Sequence, residues 1–474
     1  MSSSMKDVRV ALSWLIPYAT SVVLTKCVAL ITIPLLTRYL TPADYGALEL
    51  VSSVIEVAAI ILSFSAADLL FRFTGTHNDT DARRNAAAIA CGALSLALVV
   101  GISLQLTVFI ARPYIEHIID VNMMSVGILC ASFSALIELP LAWLRSRGSA
   151  RIFLFYVCIR AFLQTATMAF TLTQGYGAFG VLAGNAIVDA FFSTILVWRQ
   201  YRDTGISFDA KILSRAARYG WPLLGGAIAM FMLGNCDRWF LAGEVAKETL
   251  AHYALAAKLA TIVALSMQPF GLWWSARRMR VLTEPDGEKT SATAIKWGFA
   301  CLALGAIWVA ILVPPLIKLA LPIAYHSAIF WLPWVVLIVA MNETNSLLNV
   351  SAYLGKSAKA ALIINGCGAA VALTGYIILT PFWGVSGAIA ATIGGHLVRI
   401  ISYAVHGAIY APIRYHWLKM TCMAAIAYVT IQTSLTHDEI LFQVIILLLS
   451  SAAIAALTLM KSEMTDVAPA TDLV

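Results

Sequence analysis

Charge is scarce in this 474-residue chain: Asp, Glu, Lys and Arg make up 12% of it, about half the share of a soluble domain. That scarcity excludes an ordinary solvated surface. Paired cysteines are missing too. The eight cysteines stand singly inside apolar stretches, without CxxC spacing. A disulfide scaffold and a cysteine metal site are therefore excluded, and the thiols read as small packing residues. No glycine-rich phosphate loop is present, and no Asp-x-Asp pair suited to a metal-bound nucleotide sugar. Large polar loops, in which membrane-embedded transferases and polymerases place their catalytic groups, are absent as well. The sequence therefore predicts neither an enzyme nor a resident cofactor or metal.

What is abundant is hydrocarbon-like sequence. Hydrophobic residues make up 60% of the chain and the mean hydropathy is +0.83. Apolar stretches of roughly twenty residues recur about fourteen times, each matching the thickness of a bilayer core. Only helices or closed barrels satisfy every backbone group there. The prediction is an all-α polytopic membrane protein with about 14 transmembrane helices. Lys6 and Arg9 precede a first apolar stretch that runs to Thr37, longer than a signal-peptide core.

Basic residues crowd alternate breaks between these stretches. One set holds 24 cations, among them Arg83, Arg84, Arg145, Arg147, Arg151, Arg199, Arg202, Arg277, Lys296, Lys356, Lys359, Arg399 and Lys419; the other holds only Arg38, Arg112, Arg238, Lys247 and Lys318. Lys and Arg favour cytoplasmic loops, so both termini are predicted to be cytoplasmic. The net charge of +7 is a topology signal and does not imply nucleic acid. Phe208 to Tyr219 separates an apolar face from Lys211, Arg215 and Arg218, as a basic interfacial helix would.

The chain also resembles itself at an offset of about 207 residues. Trp14 and Pro17 answer Trp221 and Pro222; Gly148-Ser149-Ala150-Arg151 answers Gly355-Lys356-Ser357-Ala358-Lys359; Gly177-Ala178-Phe179-Gly180-Val181 answers Gly384-Val385-Ser386-Gly387-Ala388. Six helices per repeat give two halves of the same orientation around a central cavity, the plan of a transporter. The predicted division is 1–200 for the first six-helix bundle, 201–220 for the linker helix and 221–410 for the second bundle. Residues 411–460 hold two additional helices, and 461–474 form a disordered cytoplasmic tail.

Arg38-Tyr39-Leu40-Thr41-Pro42-Ala43-Asp44-Tyr45-Gly46 resembles the signature of Wzx-type polysaccharide flippases, within the multidrug/oligosaccharidyl-lipid/polysaccharide exporter superfamily. Tyr219-Gly220-Trp221-Pro222, Asp237-Arg238, Asn365 and Pro381-Phe382-Trp383-Gly384 are similar to later patterns of that family. His252 departs from it, standing where glycine is usual. The resemblance implies a flippase that carries undecaprenyl-diphosphate-linked oligosaccharide across the bacterial inner membrane. The cargo would feed lipopolysaccharide or exopolysaccharide synthesis, with a polysaccharide polymerase and a chain-length regulator as partners. An ion-coupled drug exporter of the same superfamily is the alternative, and a membrane glycan-processing enzyme a weaker one.

Ionisable groups deep in a bilayer cost several kcal/mol and face a cavity or a partner. Lys26, about 15 Å from the nearer surface, Arg160 and Lys258 are the cationic candidates for binding a diphosphate. Gln164, Asn342 and Asn345 lie on polar helix faces beside them in the scheme. Glu56, Asp189, Glu138 and Glu343 are the candidates for a coupling ion, H+ or Na+. The other reading is that Lys26 pairs with Glu56 or Asp189 as structural glue. Tyr156, Arg160, Gln164, Thr167 and Thr171 line up along one face, which predicts a hydrated lumen. Asp237, Arg238, Arg38 and Asp44 are predicted to serve a gate or the structure around it.

Overall fold

The computed structural model describes residue 28 and residues 31–460, except 75–78, 117–118, 276, 283–284, 354–358, 412 and 437–438. The first transmembrane stretch, with Lys26, therefore lies largely outside the described residues, and the tail 461–474 lies outside them entirely. The described residues contain helices and no strand. They are α1 (31–39), α2 (Pro42–Ser63), α3 (Ala66–Thr74), α4 (Asp79–Ile115), α5 (Val121–Ser146), α6 (Ala150–Thr173), α7 (Gly177–Thr204), α8 (Ala210–Gly234), α9 (Asp237–Leu241), α10 (Lys247–Ser275), α11 (Arg278–Leu282), α12 (Gly287–Ala320), α13 (Ala328–Leu348), α14 (Lys359–Tyr410), α15 (Trp417–Thr436) and α16 (Ile440–Leu459). Among the described residues, 10 helical segments are long and apolar enough to cross a membrane. The protein is an all-α polytopic membrane protein.

Several boundaries depart from the apolar pattern for local reasons. The second transmembrane stretch breaks at Phe64 and Ser65, both with left-handed φ, which separates α2 from α3. The two expected spans within α14 are separate helices that meet at Gly384, whose φ of 53° and ψ of −128° suit only a residue without Cβ; they fold back on each other, so that a Cβ at Gly375 would lie 2.6 Å from Ala391 Cβ. The basic segment 208–219 is not a helix of its own. Asp209 caps α8, accepting from the backbone N–H of Lys211 and Ile212, and the basic turns run straight on into the apolar ones.

By Cα packing the chain forms two units. One comprises the residues up to Leu259 with Leu316–Val335 and Ser357–Arg399; the other comprises Ala260–Pro315, Val336–Lys356 and the residues from Ile400. In the first, small side chains let helices approach closely, the main route to packing where lipid is as apolar as the core. Ala58, Ala97, Ala131 and Ala135 bring α2, α4 and α5 together around Leu62. In the second, Ala300, Ala303, Ile307 and Ile311 form one face of α12 against Met423 and Ala427 of α15 and Leu447 and Ile454 of α16. The last carbonyls of α16 accept from lysines: Lys296 Nζ to Thr458 O at 2.7 Å and Lys419 Nζ to Met460 O at 2.7 Å. Those bonds satisfy groups that a helix C-terminus leaves open.

Candidate functional site

Two groups of charged side chains lie within the first unit. One is built on α6 and α7. Arg160 Nε donates to Asp189 Oδ1 at 2.7 Å and its Nη2 to Oδ2 at 3.0 Å, a bidentate pair. Gln164 Nε2 donates to the same Oδ1 at 2.9 Å, and Arg160 Nη2 reaches Ser134 Oγ at 3.4 Å. Asp189 is almost wholly covered, whereas the Arg160 side chain keeps 24% exposure. Helical spacing explains the join: Arg160 and Gln164 are one turn apart, so both meet one carboxylate.

The structure thus brings together three predicted site residues, with Arg160, not Lys26, as the described partner of Asp189. The threonines of the same face do something else. Thr167 and Thr171 pack on α7, where a Cβ added at Gly184 would lie 3.3 Å from Thr167 Cβ and one at Gly180 3.0 Å from Thr171 Cβ. Their hydroxyls bond carbonyls of their own helix. This part of the polar stripe is a close helix seam, not a lumen wall, because glycines on α7 draw the backbones together.

The second group joins α2 to α8, α9 and α10. Glu49, 2% exposed, is ion-paired with Lys258, whose ammonium lies 5.6 Å from the Tyr45 ring centroid. Asp237 accepts from the Tyr253 hydroxyl and, at 2.9 Å, from the Arg238 backbone N–H. Arg238 Nη1 donates to Asn235 Oδ1 at 3.3 Å, and Asn235 Nδ2 donates to Glu56 Oε1 at 3.1 Å. Trp239 Nε1 donates to Ser53 Oγ at 2.8 Å. Arg238 Nε is buried without a hydrogen-bond partner, and the guanidinium acts electrostatically on Asp237, Glu49 and Glu56 together. Of the predicted residues, Lys258, Glu56, Asp237 and Arg238 meet here. Glu49, Ser53 and Tyr253 complete the group; steps of four and three put Glu49, Ser53 and Glu56 on one face of α2.

The remaining candidates are dispersed. Glu138 is on an exposed position of α5. Asn342, Asn345 and Glu343 are on α13 in the second unit, where Asn345 is fully buried and its Nδ2 donates to Met341 O at 2.9 Å. Asp44 is exposed and belongs to a helix cap: Thr41 Oγ1 accepts from its backbone N–H at 3.2 Å and donates to its carboxylate at 2.7 Å. With Pro42 at the first turn, this explains Thr41-Pro42-Ala43-Asp44 as a start signal for α2. Arg38 is exposed at the end of α1. His252 holds the connection before α13, its Nε2 2.7 Å from the Ala324 carbonyl.

Arg399 corrects the sequence reading. Counted there among loop cations, it sits about 17 Å from the end of α14 and is only 3% exposed. Its Nε donates to Asn365 Oδ1 at 3.0 Å, and Nη1 lies 3.1 Å from His396 Nδ1. Gly368 makes room for it: a Cβ there would come within 2.5 Å of Arg399 Cγ. The helix continues past it to Tyr410, and that extension hid its depth.

Apolar spanning helices carry these buried, mutually paired charges. Solved structures share the fold. The lipid II flippase MurJ, in an inward closed conformation, superposes with a TM-score of 0.71 at 11% identity, over 94% of this chain and 98% of that one. An inward-facing multidrug resistance MATE family transporter of the MOP superfamily gives 0.61 at 16% identity, over 82% and 95%. A MOP superfamily transporter from Pyrococcus furiosus gives 0.53 at 14%, over 87% and 96%. The family described as polysaccharide biosynthesis protein matches residues 14–272, and the chain belongs to that family. Curated proteins give no match by sequence.

Proposed function

We propose that the protein flips an undecaprenyl-diphosphate-linked oligosaccharide across the bacterial inner membrane by ion-coupled alternating access. The observation that carries this reading is the Arg160–Asp189–Gln164 group. A guanidinium fork fits phosphate with the same bidentate geometry as carboxylate. A diphosphate can therefore replace Asp189 on Arg160 without any new donor. Displaced Asp189, or Glu56 beside Asn235, then takes H+ or Na+, since an unpaired carboxylate in the bilayer is costly. Lys26 supplies a second cation to the same cargo.

Lys258 is engaged by Glu49 and serves with Asp237, Arg238, Arg38 and Asp44 as a closure on the outer side. The bodies that rock are the six-helix repeats, 1–200 and 221–410. Surface polysaccharide synthesis, with a polymerase and chain-length regulator receiving the cargo, is the pathway this chemistry serves. Catalysis of a covalent step is not part of the reading.

The test is depletion of the protein followed by leaflet-specific labelling of the lipid-linked oligosaccharide. Accumulation on the cytoplasmic leaflet, reproduced by Arg160→Ala at normal protein level, is expected. Unchanged leaflet distribution, or loss of resistance to cationic drugs alone, would replace this reading with the drug-exporter alternative.

A further inference from the structure

We propose that the seam between α3, α4 and α8 binds an anionic phospholipid of the bilayer. Its headgroup phosphate would sit among Arg72, Arg84, Lys211 and Arg215, with one acyl chain in the apolar groove below. The inference stands apart from the transport reading, because it concerns a different face and a resident lipid.

A cavity of about 590 Å³ opens where α3 ends and α4 and α8 begin, and those four cations line it. Of its two carboxylates, Asp209 is already committed. Its Oδ1 accepts from Lys211 N at 2.9 Å and Ile212 N at 3.2 Å, and its Oδ2 pairs with Arg84 at 3.1 Å. Asp81 is exposed at the rim. Arg72 is held against the Tyr219 ring, 5.4 Å from its centroid. The cavity thus keeps a cationic excess with its donors in place.

A second cavity of about 460 Å³ is lined almost entirely by apolar residues of the same three helices. On α4, Asp81, Arg84 and Asn85 line the polar cavity, and Ile89, Gly92, Leu96 and Val99 continue that face into the apolar one. These steps of three and four keep one side of a helix. On α8, Lys211 and Arg215 give way to Leu213, Ala217 and Trp221; on α3, Arg72 gives way to Leu69 and Ala66. Polar end and apolar length therefore belong to one groove.

The left-handed turn at Phe64 closes its far end. Phe64 meets Trp221 edge-on at 5.2 Å, and a Cβ at Gly220 would come within 2.6 Å of Phe64 Cε1. From Arg84 to Val99 the groove runs about 22 Å, past the middle of a bilayer core of ~30 Å. That is the reach of one acyl chain. A soluble phosphate would leave the apolar length unused, and a neutral lipid would leave the cations unused. Basic pockets between transmembrane helices suit anionic headgroups, which are enriched in electrostatic effect on the cytoplasmic side.

Native mass spectrometry of the full chain in detergent, with equal phosphatidylglycerol and phosphatidylcholine added, tests this. The wild type should retain phosphatidylglycerol about tenfold better, the size of effect a few headgroup cations produce. The variant R72A/K211A/R215A should lose the preference. S95W, which fills the groove from an exposed position, should lose the adduct with the cations intact. Thermal unfolding of each variant reports folding. Equal retention of both lipids by the wild type, or full retention by both variants, would overturn the proposal. So would displacement of phosphatidylglycerol by undecaprenyl diphosphate at lower concentration, which would give the groove to the transported lipid.

Discussion

Lys258 and Glu49 stand 209 residues apart in sequence and form one ion pair, with the Tyr45 ring beneath the ammonium. Lys258 keeps 41% side-chain exposure while Glu49 is nearly sealed. Lys258→Met strands a buried carboxylate. It should lower the unfolding free energy by about 2–3 kcal/mol, less than the ~3–5 of a fully buried pair. The double variant E49Q/K258M should recover most of that. Thermal unfolding in detergent decides the matter, and an additive double variant would show the pair to be uncoupled.

Arg160→Lys keeps the charge on α6 but loses the two-pronged geometry at Asp189. A single ammonium cannot replace a guanidinium fork. Export should fall about tenfold or more, equivalent to losing ~1.4 kcal/mol of binding, with protein abundance unchanged. Export at the wild-type rate would remove the bidentate contact from the transport cycle.

Gly46 lies where α2 crosses α10, and a Cβ added there would collide with the Lys247 carbonyl. Because the obstacle is backbone, it cannot swing aside. Gly46→Val should cost about 1–3 kcal/mol through overpacking, whereas the same change at Gly225, which has open space, should cost much less. Paired melting curves would reveal the difference.

Asp209 holds the start of α8 in a pH-dependent way. The backbone N–H of Ile212, then that of Lys211 and the Arg84 guanidinium, keep its carboxyl below the usual aspartate range. A depressed carboxylate stabilises above its unfolded value, near 3.9, and that contribution is lost as pH falls through the lower folded value. Amide exchange at Lys211 and Ile212 should quicken below pH ~4. Asp209→Ala should show the faster exchange at neutral pH as well, and identical profiles would discount the cap.

Most helices were legible in the sequence because a bilayer demands long apolar runs, and α4, α5, α6, α7, α10, α12 and α16 occupy theirs. The break at Phe64 carries no glycine or proline to announce it. The kink between the two helices at Gly384 is announced by both Pro381 and Gly384. Arg160, Gln164 and Asp189 were legible as charged or polar residues at depth, since hydrocarbon makes such groups conspicuous. Their mutual pairing was not, because periodicity gives the face of a helix and not which neighbour it meets. For the same reason Lys258 stood out as a cation at depth while its pairing with Glu49 did not. Arg399 was misplaced because its helix runs on to Tyr410, and a charge with apolar residues on both sides does not mark where a span ends.

The joint between α2 and the α8–α10 segment is fastened by Trp239 to Ser53, Asn235 to Glu56 and Lys258 to Glu49. An oily joint of that area would resist water until wholly open. A joint made of donors and acceptors can be unpicked one link at a time, each released group finding a water molecule at small net cost. Such a fastening unzips and reseals repeatedly without exposing bare hydrocarbon.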